Sequence, residues 1–101
     1  MSAYPYSVVD LCRSTAAVLD LGIALPASSQ DALALALSGC EAAVEKLDTF
    51  ALPALAENRL LETTDRVKEA KAAGVNPTPQ LLQDCSNALY HVVLLIKEYH
   101  Q

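Results

Sequence analysis

The chain has 101 residues, is 52% hydrophobic and carries a formal charge of −5. That length supports one domain with little spare stability, and the apolar fraction excludes intrinsic disorder. The acidic balance argues against nucleic acid or an anionic membrane surface as the main partner.

Seventeen Ala and seventeen Leu against only three Gly make an all-α chain the expected outcome. Helix one is predicted to start after Pro5 and Tyr6, with Ser7 as N-cap and Asp10 completing a variant capping box. Val8, Leu11, Cys12, Leu19 and Ile23 form its apolar stripe, and Gly22 and Pro26 punctuate its end. Ser28 or Ser29 is the expected cap of helix two. The alternation of Ala and Leu over residues 32–37 superficially suggests a strand. Neither residue is β-branched, however, and Leu33, Leu37, Cys40, Val44, Leu47 and Ala51 recur at helical spacing. Ala36, Gly39 and Ala43 beside that stripe are small enough for another helix to approach closely.

Pro53 decides the middle of the chain. An uninterrupted helix from Ser29 to Ala73 would run roughly 65 Å, about twice the length available to its neighbours. A break near Pro53 instead yields four helices of similar length, as a bundle requires. Helix three, from Pro53 to Ala73, has a narrow stripe of Ala56, Leu60, Val67 and Ala70. Its other positions are mostly charged, with Glu62 and Arg66 spaced for an ion pair. Gly74 reads as the residue just past its end, and Thr78 as the cap of helix four with Pro79 in the first turn.

Helix four is the most apolar segment. Leu82, Cys85, Leu89, Val92, Ile96 and Tyr99 make the seam of an amphipathic helix, and Leu81, Ala88, Tyr90, Val93, Leu94 and Leu95 surround it. Such a helix must be covered, either by the rest of this chain or by another chain.

Cys12, Cys40 and Cys85 are far apart, form no CxxC pair and fall on apolar faces, which fits a reducing compartment. The first residues lack a basic region, and no apolar run reaches the roughly 20 residues of a membrane span. The expectation is a soluble, cytoplasmic protein.

Catalytic signatures are missing. His91 and His100 share no helix face with each other or with Cys85, so neither a metal site nor a Cys–His pair is expected. Glu41 and Glu45 are spaced i,i+4 on an exposed face, where they repel rather than act as an acid–base dyad. No phosphate-binding or nucleophile-elbow motif occurs. The chain therefore reads as a single all-α domain over residues 1–101. It is an up-and-down bundle of four helices at about 7–24, 29–50, 53–73 and 79–100, without catalytic, cofactor or metal residues. The expected function is that of a small regulatory or adaptor protein, binding another protein through helical surfaces and dimerising through helix four. Tyr90, Leu94 and Leu95 are the candidate contacts, with Arg59 and Arg66 as rim charges. The alternative is a bundle that binds lipid or another apolar ligand.

Overall fold

The computed structural model describes residues 4–101. It contains α1 (Tyr6–Ala24), α2 (Ser29–Glu45), α3 (Ala54–Ala72) and α4 (Pro79–Tyr99), with 3₁₀ turns at Pro26–Ser28 and Lys46–Asp48. Each helix packs on its two neighbours in a closed circuit, α1 on α2 and α4, α3 on α2 and α4. With three short connections, this is the four-helix bundle read from the sequence.

The helix ends differ in detail from expectation. Pro5, not Ser7, holds the N-cap position of α1 and provides no side-chain cap. The carbonyl of Pro5 accepts from the Val9 N–H at 3.1 Å, so the helix starts one residue early and draws Ser7 into its first turn. There the Ser7 hydroxyl is buried without a partner among the described residues. Neither serine caps α2 by its side chain. Ser28 does hold the N-cap position, as expected, but at the end of the 3₁₀ turn its side chain makes no cap hydrogen bond, while Ser29 is buried and donates back to the Pro26 carbonyl at 2.7 Å.

Helix α2 stops at Glu45 rather than near Phe50. The chain tightens so that the Thr49 and Phe50 N–H groups both donate to the Lys46 carbonyl, a common way to close a helix. This leaves Leu47, Phe50 and Leu52 half-buried against one end of the core, and Ala51 exposed outside the helix. Pro53 separates two helices, as the length argument requires, but as the N-cap of α3. At the remaining connection the local signals hold. Gly74 adopts a φ of +73°, and the Thr78 hydroxyl accepts from the Leu81 N–H at 3.2 Å ahead of Pro79. The Gln30 side chain donates to the Val75 carbonyl, tying this connection to the start of α2.

Leu19, Leu33, Leu60, Leu82, Leu89 and Ile96 are the largest side chains of the core. Two hydroxyls on α3 that the apolar stripe did not predict, Thr63 and Thr64, are buried too. They donate to the Arg59 and Leu60 carbonyls at 2.7 and 2.8 Å, so their burial leaves no orphan donor. Glu62 and Arg66 do not form the ion pair their spacing allows. Arg66 reaches across to Asp84 on α4 at 3.8 Å instead.

Small residues set the spacing of α1 and α2. Gly22 does not end α1 but is buried within it, where an added Cβ would lie 2.9 Å from the Ala32 Cβ. A Cβ on Gly39 would lie 2.1 Å from the Thr15 Oγ1. Gly39→Ala is therefore expected to destabilise the bundle by about 1–3 kcal/mol in urea unfolding, outweighing the better helix propensity of Ala. Adding Thr15→Ala should recover part of that loss, as a double-mutant cycle would measure.

Candidate interaction surfaces

Helix four lies between α1 and α3, and that position sorts its crowded apolar residues. Leu82, Cys85, Ala88, Leu89, Val92, Val93 and Ile96 are buried, and Leu81 and Leu95 are half-buried against them. Tyr99, expected in the seam, is exposed at the end of the helix. Much of the apparent surplus on helix four is thus core, filled by contacts on two sides.

Tyr90 and Leu94 remain, 44% and 50% exposed on the outer face of α4. The Tyr90 hydroxyl leans toward α1, 3.4 Å from the Asp20 carboxylate. The same carboxylate accepts from the buried Ser86 hydroxyl at 2.6 Å, a polar link between α1 and α4. Leu95 lies on the other flank of the helix, lining a recess with Arg59, Leu55 and His91. Arg59 and Arg66 line the adjoining recess between α3 and α4, with Glu62 and Asp84 between them. The five candidate residues therefore fall on two helices and do not form a single patch. Tyr90 and Leu94 lie on the outer face of α4, and Leu95 lies at the α3–α4 seam with Arg59 and Arg66 of α3. Arg59 joins Leu95 directly, while the charge of Arg66 is shared with Asp84.

A more apolar recess lies elsewhere. Where the end of α1 meets the start of α2, Val18, Leu21, Leu25, Ala32 and Leu35 surround a hollow of about 190 Å³. Leu21, Leu25 and Leu35 are 59%, 58% and 65% exposed, and Asp31 is the one ionisable group in the lining. These leucines lie outside the predicted apolar seams of helices one and two. Leu21 and Leu25 are spaced i,i+4 off the Val8–Cys12–Leu19 stripe, a pattern that does not by itself distinguish a second covered face from an exposed one.

A further recess, of about 380 Å³, opens where the start of α1 meets the end of α4. Tyr4, Tyr6 and His100 gather there with ring centroids 4.6 and 5.0 Å apart, and Arg13, Lys97 and Asp10 carry its charges. No known protein family, curated protein or solved structure gives a significant match to the chain.

The chemistry of the thiols follows from their depth. Burial pushes Cys12 up to about 12 and Cys40 up to about 11 from an ordinary 9.0, and it raises Cys85 in the same direction. Nearby thiol charge adds to the shift of Cys12 and Cys40, while the Thr64 hydroxyl offsets part of it at Cys40. At neutral pH all three are protonated, and a buried thiol is a poor nucleophile. His91 is exposed and lines the α3–α4 recess while Cys85 is buried, so the two form no working pair. Among the described residues, no group of three or more His, Cys, Asp or Glu side chains is placed to hold a metal ion. No described helix is long and apolar enough to cross a membrane.

Proposed function

We propose that this chain is a non-enzymatic regulatory or adaptor protein that binds another protein through helical surfaces. The observation that carries this reading is the ring of exposed leucines, Leu21, Leu25 and Leu35, around the hollow between α1 and α2. Exposed leucine at one place on a small domain is a usual mark of a contact surface. A groove between two helices takes an amphipathic helix whose apolar side chains repeat at three and four residues.

The dimensions favour a protein over a lipid. At about 190 Å³ the hollow is smaller than the ~300–1,000 Å³ of pockets that enclose whole ligands, but it accommodates one anchoring side chain. Self-association belongs to the same reading. Tyr90 and Leu94 form the crest on which two copies meet through helix four, with Leu95, Arg59 and Arg66 along its α3 flank. Three free buried thiols suit the reducing cytoplasm as the place of action.

Photo-crosslinking in cells tests this directly, with p-benzoylphenylalanine placed at position 35, at position 94 and, as a control, at Lys68 on the charged face of α3. The expected result is a discrete protein adduct from position 35 and an adduct of twice the chain mass from position 94. Position 68 should give neither. Lipid adducts alone at position 35 would transfer the hollow to an apolar ligand. Equal labelling at 35 and 68 would remove the protein-binding reading.

A further inference from the structure

We infer, on the reading that the leucine groove is a protein-binding site, that its partner is a basic amphipathic helix. Lysine or arginine would border the apolar face of that helix. The first reason is the uneven placement of charge. Of the formal −5, α1 and α2 together carry −4, with Asp10, Asp20, Asp31, Glu41 and Glu45 against Arg13 alone. On α3 and α4, six carboxylates meet five cations and nearly cancel. Helix α2 contains no cation at all, and Arg13 lines the recess on the α4 side of α1. Asp31 is the one ionisable group beside the leucines of the hollow. An apolar site on the acidic half of a protein draws in a cationic partner and disfavours an acidic one.

Shape makes that partner a helix. Two close approaches fix the antiparallel register of α1 on α2, Gly22 against Ala32 beside the hollow and Gly39 against Thr15 further along. On α2 the positions one and two turns beyond Leu35 are Ser38 and Ala42. On α1 the position two turns before Leu21 is Ser14. With only small, uncharged side chains there, a third helix can continue along the seam past the hollow. From Leu25 back to Ser14 the seam runs roughly 16 Å, three turns of a helix. Leucines at spacings of three and four would seat one anchor in the hollow and lay the rest along this track.

The same charge disfavours a second copy of this chain as the occupant. Two grooves meeting face to face would set one acidic pair of helices against another, and each Asp31 would lose hydration without gaining a cation. A lysine-bordered helix instead meets Asp31 with an opposite charge at the exposed edge of the contact.

Fluorescence anisotropy with the full chain and three labelled helical peptides tests this. The peptides share leucines at spacings of three and four and carry lysine, glutamine or glutamate at the flanking positions. The lysine peptide is expected to bind at micromolar concentration, about tenfold tighter than the glutamine peptide, and the glutamate peptide not at all. Leu35→Gln, at an exposed position, should weaken the lysine and glutamine peptides alike by about tenfold. Asp31→Asn should weaken the lysine peptide about threefold and leave the glutamine peptide unchanged. Glu69→Gln, on the exposed face of α3, should change neither. Equal binding of the lysine and glutamine peptides, both weakened by Leu35→Gln, would overturn the basic partner while leaving the groove a helix site. Lysine-peptide binding that Leu35→Gln does not weaken would overturn both, since net charge alone would then explain it. So would the absence of binding by all three peptides.

Discussion

Val93→Asp is expected to abolish cooperative folding or lower Tm by at least about 15 °C, while Leu94→Asp keeps the chain folded. The two positions are adjacent, alike in hydrophobicity and both beside the seam of helix four, and the sequence marks only Leu94 as a candidate contact. In the structure Val93 is 7% exposed within the main apolar cluster, and Leu94 is 50% exposed. A carboxylate at 93 loses its hydration without gaining a partner. A buried unpaired charge costs about 3–5 kcal/mol, and the lost apolar burial adds to it. Against a total stability of about 5–15 kcal/mol for a domain of this size, little remains. Each kcal/mol lowers Tm by about 4–8 °C here, so thermal melts followed by circular dichroism resolve the contrast easily. At Leu94 the new carboxylate stays hydrated and the change is within about 1 kcal/mol. If two copies meet on this face, Leu94→Asp has a second effect, a shift of the sedimentation pattern from dimer to monomer.

That pair of neighbours shows where the sequence was legible and where it was not. Three signals that act within one turn hold in the structure. Thr78 accepts a hydrogen bond three residues on, Gly74 takes a positive φ, and the backbone restriction at Pro53 breaks the chain. The start of α1 was misread because a serine with an acidic residue three positions later matches a capping box wherever it occurs. Here Pro5 already supplies the carbonyl that closes the first turn, so Ser7 has no cap to make.

Signals that depend on a partner helix were legible only in outline. The small residues of helix two were recognised as a place of close approach, but Thr15 as the group approaching Gly39 was not. On helix four, hydrophobicity alone ranks Val93 and Leu94 together. Only contact on two sides, by α1 and α3, buries one and leaves the other. Arg66 likewise had an intrahelical partner by spacing, yet an acidic group on the neighbouring helix took it. The leucine-ringed hollow was invisible for a related reason. Leu21 and Leu35 are apolar residues in apolar helices, and nothing local says that their faces find no cover. The aromatic recess joins Tyr4 to His100, almost the full length of the chain apart, so no window of sequence contains it.

The three core thiols lead to the second large effect, a loss of stability in alkali. Above pH 9 the thiols of the unfolded chain ionise, whereas Cys12 and Cys40 in the folded chain hold their protons until about 12 and 11. The unfolded state then binds fewer protons than the native state, so the stability of folding falls as pH rises. The contribution is fully present below pH 9 and is lost through the window up to the folded values. Each thiol contributes a slope of about 1.4 kcal/mol per pH unit there. From pH 8 to pH 10.5 Cys12 and Cys40 together remove about 4 kcal/mol, and Cys85 acts in the same direction. Tyrosines and lysines begin to titrate in this range as well, so the measurement is a difference. Urea unfolding at both pH values for the native chain and for the Cys12→Ala, Cys40→Ala, Cys85→Ala variant isolates the thiols. The native chain should lose about 4 kcal/mol more than the variant over this interval, even though the variant starts less stable because of its small cavities. Parallel losses would mean that the thiols ionise inside the folded bundle, which their depth beside one another opposes. The same burial makes them unreactive toward a disulfide reagent at pH 8 until urea opens the core, when all three should react together.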